Sequence, residues 1–160
     1  MLQLIPAPLH RQLYRIADRL RRIWWRLRKP RRRSVLVIAF DDRGRVLLVR
    51  HSYGPPVWAL PGGGLGRREN PLPAAVREFR EELKCEPADL RLLKVQVWED
   101  SGSHDRRHVF VATLRGTPVP DQREVVEAAL FDPQALPGNT GHWAASVVRE
   151  AVAWRQSNES

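Results

Sequence analysis

The stretch from Gly62 to Glu82 constrains this chain more than any other part of it. It opens with Gly62-Gly63-Gly64 and closes with Arg77-Glu78-Phe79-Arg80-Glu81-Glu82. Glycines let a backbone take positive φ and come close to a ligand. Asn70 followed by Pro71 is a helix-start signal: an Asn cap, then a Pro whose missing N–H costs nothing in the first turn. The pattern predicts a helix from there to about Lys84. On it Glu78, Glu81 and Glu82 stand at i, i+3 and i+4, a spacing that puts all three carboxylates on one face. Arg77 and Arg80 lie on adjacent faces and relieve the repulsion only in part. Alone, a Glu/Arg-rich helix is commonly a solvated surface, and a glycine triplet is commonly a turn. Joined, they make an oxygen-rich, acidic concavity of the kind Mg²⁺ or Mn²⁺ prefers, completed by phosphate oxygens and water. Loop amides can cradle a phosphate, and a loop carbonyl can add a ligand. A divalent cation bridging a diphosphate neutralises its charge and acidifies water, whose proton a nearby glutamate can accept.

Around this stretch the apolar pattern is mainly that of strands. Ser34–Phe40 is β-branched and apolar, Asp41-Asp42-Arg43-Gly44 reads as a turn, and Arg45–Arg50 completes a hairpin. A short apolar segment, Val57–Leu60, leads into the glycines. Further strands are expected near Leu92–Trp98, His108–Leu114 and Glu124–Phe131. Asn139 or Thr140 would cap a last helix with Trp143, Val147, Ala151 and Trp154 on its apolar side. Strands interleaved with helices indicate an α+β or mixed α/β sandwich. At 160 residues and 42% apolar, the chain has the size and composition of one domain with one core. A single cysteine, Cys85, excludes an internal disulfide and is compatible with a reducing compartment, so a cytoplasmic location is expected. No apolar run approaches the ~20 residues of a membrane-spanning helix, and the opening Met1–Leu9 lacks the basic start of a secretory signal.

The net charge of +9 is misleading as a whole-chain property. Eleven of the 27 basic residues and one of the 18 acidic ones fall between Arg11 and Arg33, leaving sixteen against seventeen elsewhere. The body is neutral, and the basic balance belongs to a segment that repeats apolar residues at Leu9, Leu13, Ile16, Leu20, Ile23 and Leu27. That amphipathic helix, with Trp24 and Trp25 near its end, is open to three readings. It packs on the domain or a second copy in a homodimer; residues 9–29 lie on an anionic membrane surface, peripherally attached; or it guides an RNA or nucleotide substrate. The lack of aromatic interleaving argues against nucleic acid as a partner.

Gly63, Glu69, Arg77, Glu78, Glu81 and Glu82, at their spacing here, resemble the Nudix box, and Trp58-Ala59-Leu60-Pro61-Gly62-Gly63 resembles the segment that commonly precedes it. The resemblance extends over about residues 34–155. It implies a Nudix-like α/β/α sandwich with a mixed sheet over residues 34–156, preceded by the basic helical extension 1–33 and followed by a tail, 157–160. It further implies a hydrolase that cleaves a diphosphate linkage in a nucleoside diphosphate derivative, a small-molecule substrate, with Mg²⁺ or Mn²⁺. Carried over residue by residue, Glu78 and Glu82 are the principal metal ligands, Glu81 a further one, and the Gly62 carbonyl the backbone ligand. Arg77 orients Glu78, Glu69 supports the loop, and Glu124, then Glu127, is the candidate distant glutamate that acts as ligand or general base. Gly63 and Gly64 border the substrate. The family's glycine two residues after the last glutamate is Lys84 here, so either the helix ends differently or a left-handed lysine costs about 1–2 kcal/mol. Arg50, with His51 and Tyr53, ends a strand that can border the cleft, and Arg50 is a candidate substrate contact. Selectivity is expected from Arg50 and a loop at Ser101–Arg107. Trp58 serves either core or substrate platform, and His104, His108 and Cys85 read as structural. The rival to an enzyme is a fold that binds nucleotide or docks at a membrane without cleaving.

Overall fold

The computed structural model describes residues 12–14, 16, 17, 20, 31–100 and 103–158. Six strands and two long helices follow in the order β1 (Arg31–Phe40), β2 (Val46–His51), β3 (Gly62–Gly64), α1 (Pro71–Leu83), β4 (Pro87–Asp100), β5 (Ser103–Leu114), β6 (Val125–Phe131) and α2 (His142–Asn158). The strands form one mixed sheet in the order β4-β5-β1-β2-β6. β1 runs parallel to β5, and every other pairing is antiparallel, including that of β1 with the short β3.

Alternation along the strands builds two apolar layers. Val35, Val37, Val49 and Phe110 point to one face and pack with Ala75, Phe79 and Leu83 of α1. Ile38, Phe40, Leu48 and Val111 point to the other and pack with Ala144, Val147, Val148 and Ala151 of α2. Both faces are covered, which gives the mixed α/β architecture expected from the sequence.

Three differences follow from pairing that a linear pattern does not reveal. Strand β1 begins at Arg31, not Ser34, because the arginines that read as a linker pair in register with His104, Asp105 and Arg106 of β5. Strands β4 and β5 likewise outrun their apolar cores, so Ser103–Arg107 is strand and not a loop. Their ends are held by the β4–β5 ladder and by a cross-strand contact of His104 Nδ1 with Glu99 Oε1 at 3.0 Å. The glycine triplet is strand β3, with Gly62 opposite Leu36 and Gly64 opposite Ser34.

Of the predicted N-terminal stripe, Leu13, Ile16 and Leu20 lie within the described residues, and all three are exposed. The domain contact is made instead by Tyr14, which stacks on Tyr53 with ring centroids 5.7 Å apart. Leu9, Ile23, Leu27, Trp24 and Trp25 lie outside the described residues.

Candidate active site

Helix α1 carries the acidic residues, and its own periodicity decides which of them is buried. Ala75, Phe79, Glu82 and Leu83 fall on the core-facing stripe, so Glu82 goes under the sheet with its apolar neighbours and is only 4% exposed. Its Oε2 accepts the Gly62 N–H at 3.0 Å. Glu78, one turn earlier, lies against Gly63. Glu81 departs from expectation. Its side chain is 59% exposed and paired with Arg77 at 3.3 Å, because a residue just before a core position turns about 100° outward. Two of the three carboxylates, not all three, face the glycine strand.

Asn70 starts the helix as expected, its side chain accepting the Leu72 N–H at 3.2 Å. The helix ends on Lys84 in the left-handed conformation, φ 57° and ψ 18°, with its N–H on the Arg80 carbonyl. The turn keeps the geometry usual for glycine and tolerates the side chain. The lysine ammonium donates to the Glu81 carbonyl at 2.9 Å, which offsets part of the strain.

Arg77 is the hub of the surrounding ion pairs. One guanidinium nitrogen pairs with Glu78 at 2.8 Å, while Nε and the other terminal nitrogen grip Glu69 at 3.1 and 3.3 Å. Glu69 in turn accepts the Gly66 N–H at 2.9 Å, which ties the loop after β3 to the helix. Gly66 and that loop are also held by Arg33, which donates to the Gly66 and Arg67 carbonyls at 3.2 Å.

The glycines are not equivalent. At Gly62, with φ 141°, a Cβ would sit 2.1 Å from the Val35 carbonyl oxygen; at Gly63 it would sit 2.3 Å from Glu78 Oε2; at Gly64 it would meet nothing within 4 Å. The first two positions need glycine so that β3 can approach β1 and the carboxylate together. The third does not.

A second loop brings the distant glutamate in. The Val119 and Asp121 N–H groups donate to the Leu83 and Glu82 carbonyls at 2.7 and 2.9 Å, fastening residues 119–124 to the end of α1. The Asp121 carboxylate accepts the N–H groups of Arg123, Glu124 and Val125 and so fixes the turn that presents Glu124. The Tyr14 hydroxyl donates to Glu124 Oε1 at 2.5 Å. Burial and this bond push the Tyr14 phenol up.

These carboxyls interact. Burial pushes Glu82 well above the ordinary carboxylate range, against the pull of the Gly62 N–H and reinforced by Glu78, Glu124 and Asp121. Burial also raises Glu78, with Arg77 opposing and Glu81 and Glu124 reinforcing. Among the described residues no ion pair reaches Glu82, and no three His, Cys, Asp or Glu side chains stand together as a complete metal cluster. The donor set still suits a hard divalent cation. Mg²⁺ commonly takes one or two carboxylates and completes its shell with phosphate oxygens and water, and crowded, desolvated carboxyls are relieved by such a charge.

A cavity of about 1320 Å³ opens beside the glycine strand, lined by Gly62, Gly63 and Gly64, the arginines Arg32, Arg33 and Arg67, and aromatic side chains. Trp58 belongs to both core and cavity: it is buried, meets Phe131 edge-on at 4.8 Å, and presents part of its surface to the cavity. Arg107 lies between the rings of Trp98 and Trp143, 4.9 and 4.5 Å from their centroids, and is paired with Asp105 at 3.2 Å. Arg50 is not among the lining residues. Its guanidinium pairs with Glu127, its cross-strand partner, at 2.5 Å and lies 5.6 Å from the Trp58 ring centroid. The two candidates Arg50 and Glu127 thus engage each other. His108 is buried with Nδ1 3.3 Å from the Ser34 carbonyl, a structural contact.

The NUDIX domain family model matches residues 30–151, most of the chain, taking in every strand, α1 and the first part of α2. The chain belongs to the NUDIX family. Proteins of this family generally use a divalent metal. The NUDIX domain here is 44% identical over 62 residues to an RNA pyrophosphohydrolase of Halorhodospira halophila, an alignment covering 39% of this chain and 34% of that one. It is 36% identical over 84 residues to human diphosphoinositol polyphosphate phosphohydrolase 2, covering 52% and 46%. The chain therefore spans less than half the length of these relatives. A solved MutT NUDIX hydrolase from Burkholderia pseudomallei superposes with a TM-score of 0.68 at 26% identity, over 75% of this chain and 97% of that one. A C. elegans Ap4A hydrolase shares the fold at 18% identity, with a TM-score of 0.67 over 79% and 98%.

Sequence reasoning missed Tyr14 and Asp121, whereas His51 and Tyr53, read with Arg50 as a strand end able to border the cleft, do line the cavity. Asp121 carried a usable signal, an Asp opening a short polar turn before a strand. Tyr14 was hidden by the more regular Leu/Ile stripe.

Proposed function

We propose that this NUDIX protein hydrolyses a diphosphate linkage in a nucleoside diphosphate derivative. The single observation behind this reading is Glu82: a nearly wholly buried carboxylate, held by one peptide N–H beside a second carboxylate, with no ion pair to it among the described residues. A fold keeps such a group at a cost in stability, and the cost is explained if a cation belongs there. Glu78, Glu82 and the Gly62 carbonyl would hold Mg²⁺ or Mn²⁺, and Glu81 would join only after leaving Arg77. The cation would supply neutralisation of the diphosphate charge and a more acidic water. Arg77 holds Glu78 in place through its own pairing with Glu69. Glu124 is the proposed general base: it takes the proton of the attacking water as a new P–O bond forms and the bridging P–O bond breaks. The Tyr14 hydroxyl occupies only Oε1, which leaves the second carboxylate oxygen to take that proton. Gly63 and Gly64 border the phosphates, while Arg32, Arg33 and Arg67 supply positive charge at the same cavity.

The test is release of nucleoside monophosphate from a panel of dinucleotide and nucleotide-sugar substrates with Mg²⁺ or Mn²⁺, abolished by chelator. Nucleotide binding by calorimetry with no turnover under any divalent metal would favour the rival, a non-catalytic binding module.

A second reading concerns the N-terminal segment. Leu13, Ile16 and Leu20 are exposed on a stretch rich in arginine, which fits an anionic lipid surface. Among the described residues no helix is long and apolar enough to cross a membrane, so the attachment proposed is peripheral. Removal of residues 1–30 should abolish sedimentation with phosphatidylserine vesicles; vesicle binding that survives the deletion excludes it.

A further inference from the structure

Glu124 has a fixed backbone and a carboxylate whose aim depends on one contact. Its N–H donates to Asp121 Oδ1 at 3.1 Å, and its carbonyl accepts the Ser52 N–H at 2.8 Å. Those bonds set where the residue sits, within electrostatic reach of Glu78 and Glu82. They do not set where the carboxylate points, because a glutamate side chain still turns about χ1, χ2 and χ3. Among the described residues that carboxylate has a single hydrogen-bond partner, the Tyr14 hydroxyl, which donates to Oε1 at 2.5 Å. The two residues stand 110 positions apart in the chain.

The donor is itself held. The Tyr14 ring stacks on Tyr53, with centroids 5.7 Å apart and planes 21° from parallel. Tyr53 lines the cavity and follows Ser52, whose N–H and hydroxyl are bonded to the Glu124 and Arg123 carbonyls. Ring, loop and carboxylate thus close a circuit. The N-terminal segment does not dock by burying its apolar residues, since Leu13, Ile16 and Leu20 are exposed. Among the described residues before Arg31, Tyr14 alone is half-buried, and it is the one that meets Glu124.

A phenol suits this task. It holds a carboxylate by one directed bond and brings no positive charge. A guanidinium would hold the group as well but would also lower its basicity, the situation of Glu127 with Arg50. With Oε1 occupied, Oε2 keeps its lone pairs for a proton. A base that samples several rotamers spends part of its time out of reach, and a misplacement of about 1 Å can cost on the order of a hundredfold in rate.

We propose that Tyr14 is a positioning residue for hydrolysis: its hydroxyl fixes the Glu124 carboxylate so that Oε2 faces the attacking water, which makes the N-terminal segment part of the active site. The inference rests on the proposed hydrolase reading with Glu124 as base, and the experiment separates its failure from that reading's failure. The probe is the member of the dinucleotide and nucleotide-sugar panel that the parent turns over fastest with Mg²⁺. Tyr14→Phe keeps the ring stack and removes the hydroxyl. It should lower kcat roughly tenfold and leave KM within about twofold of the parent. Tyr14→Leu, which loses the stack as well, should add little to that loss. Glu124→Gln should lower kcat roughly a hundredfold, and adding Tyr14→Phe to it should change kcat by less than about twofold, because the two act as one unit. As a second readout, ¹³C relaxation of the Glu124 side chain in the metal-free protein should report one rotamer in the parent and averaging in Tyr14→Phe. A loss confined to Tyr14→Leu, an equal loss from Tyr14→Phe in both backgrounds, or a Glu124 side chain equally ordered in parent and Tyr14→Phe overturns the role of Tyr14 and leaves the hydrolase reading standing. Glu124→Gln as active as the parent removes Glu124 as base and Tyr14 with it, while hydrolysis itself stands. If nothing in the panel is turned over, both readings fall.

Discussion

Replacing Glu82 with Gln separates a metal-site carboxylate from a structural one, because the two roles predict opposite signs. The side chain is 4% exposed, accepts one peptide N–H at 3.0 Å, and is crowded by Glu78. An amide of the same shape keeps an oxygen for the Gly62 N–H and removes the buried charge. The metal-free variant should then equal the parent or exceed it at neutral pH, by on the order of 1 kcal/mol for each pKa unit of relief, or about 2–4 °C in Tm. With divalent metal the order should reverse. At a hundredfold excess over Kd the parent gains about 2.7 kcal/mol, roughly 5–10 °C, and the variant should lose most of that gain. Hydrolysis should fall about 10²- to 10³-fold, the usual loss when a preorganised charge-stabilising group is removed. Thermal melts with and without Mg²⁺, alongside turnover, read all three quantities. A variant as active as the parent, or one several kcal/mol less stable without metal yet keeping the full metal-induced shift, would refute the assignment.

Further expectations follow from the same geometry. Gly63→Ala forces a Cβ into the Glu78 carboxylate, 2.3 Å from Oε2, and should cut turnover at least tenfold, whereas Gly64→Ala should change it less than twofold. In the metal-free protein Glu82 and Glu78 are raised by burial, so the stability they contribute is present below the ordinary carboxylate pKa of ~4.3 and is lost as pH climbs through their elevated values. Metal-free Tm should accordingly decline with rising pH above that point, with a shallower slope in Glu82→Gln, and a steeper one would contradict the burial argument. Phe79→Ala removes a fully buried ring beneath the sheet and should cost about 3–5 kcal/mol in denaturant unfolding. Lys84→Gly relieves the φ 57° strain at the loss of one side-chain hydrogen bond and should leave stability unchanged or raise it by up to about 1 kcal/mol, as read by Tm.

What the sequence by itself determined is what depends on local spacing. Asn70-Pro71 and the 3.6-residue period set the start of α1 and set Glu82 on the same stripe as Phe79 and Leu83. The spacing of Gly63, Glu69, Arg77, Glu78, Glu81 and Glu82 carried the resemblance to the family, which the family model over residues 30–151 bears out. The same periodicity, read more closely, turns Glu81 outward; a count of three carboxylates on one face was too coarse. What only the tertiary structure decided is what depends on partners far along the chain. The β2–β6 register gives Arg50 to Glu127, the β1–β5 register turns a run of arginines into strand, and the 119–124 loop fastened to α1 brings Glu124 within electrostatic reach of Glu78 and Glu82. The physical reason is that helix geometry repeats within a few residues and is written in their order, whereas register and burial are set by which distant surfaces exclude water from one another.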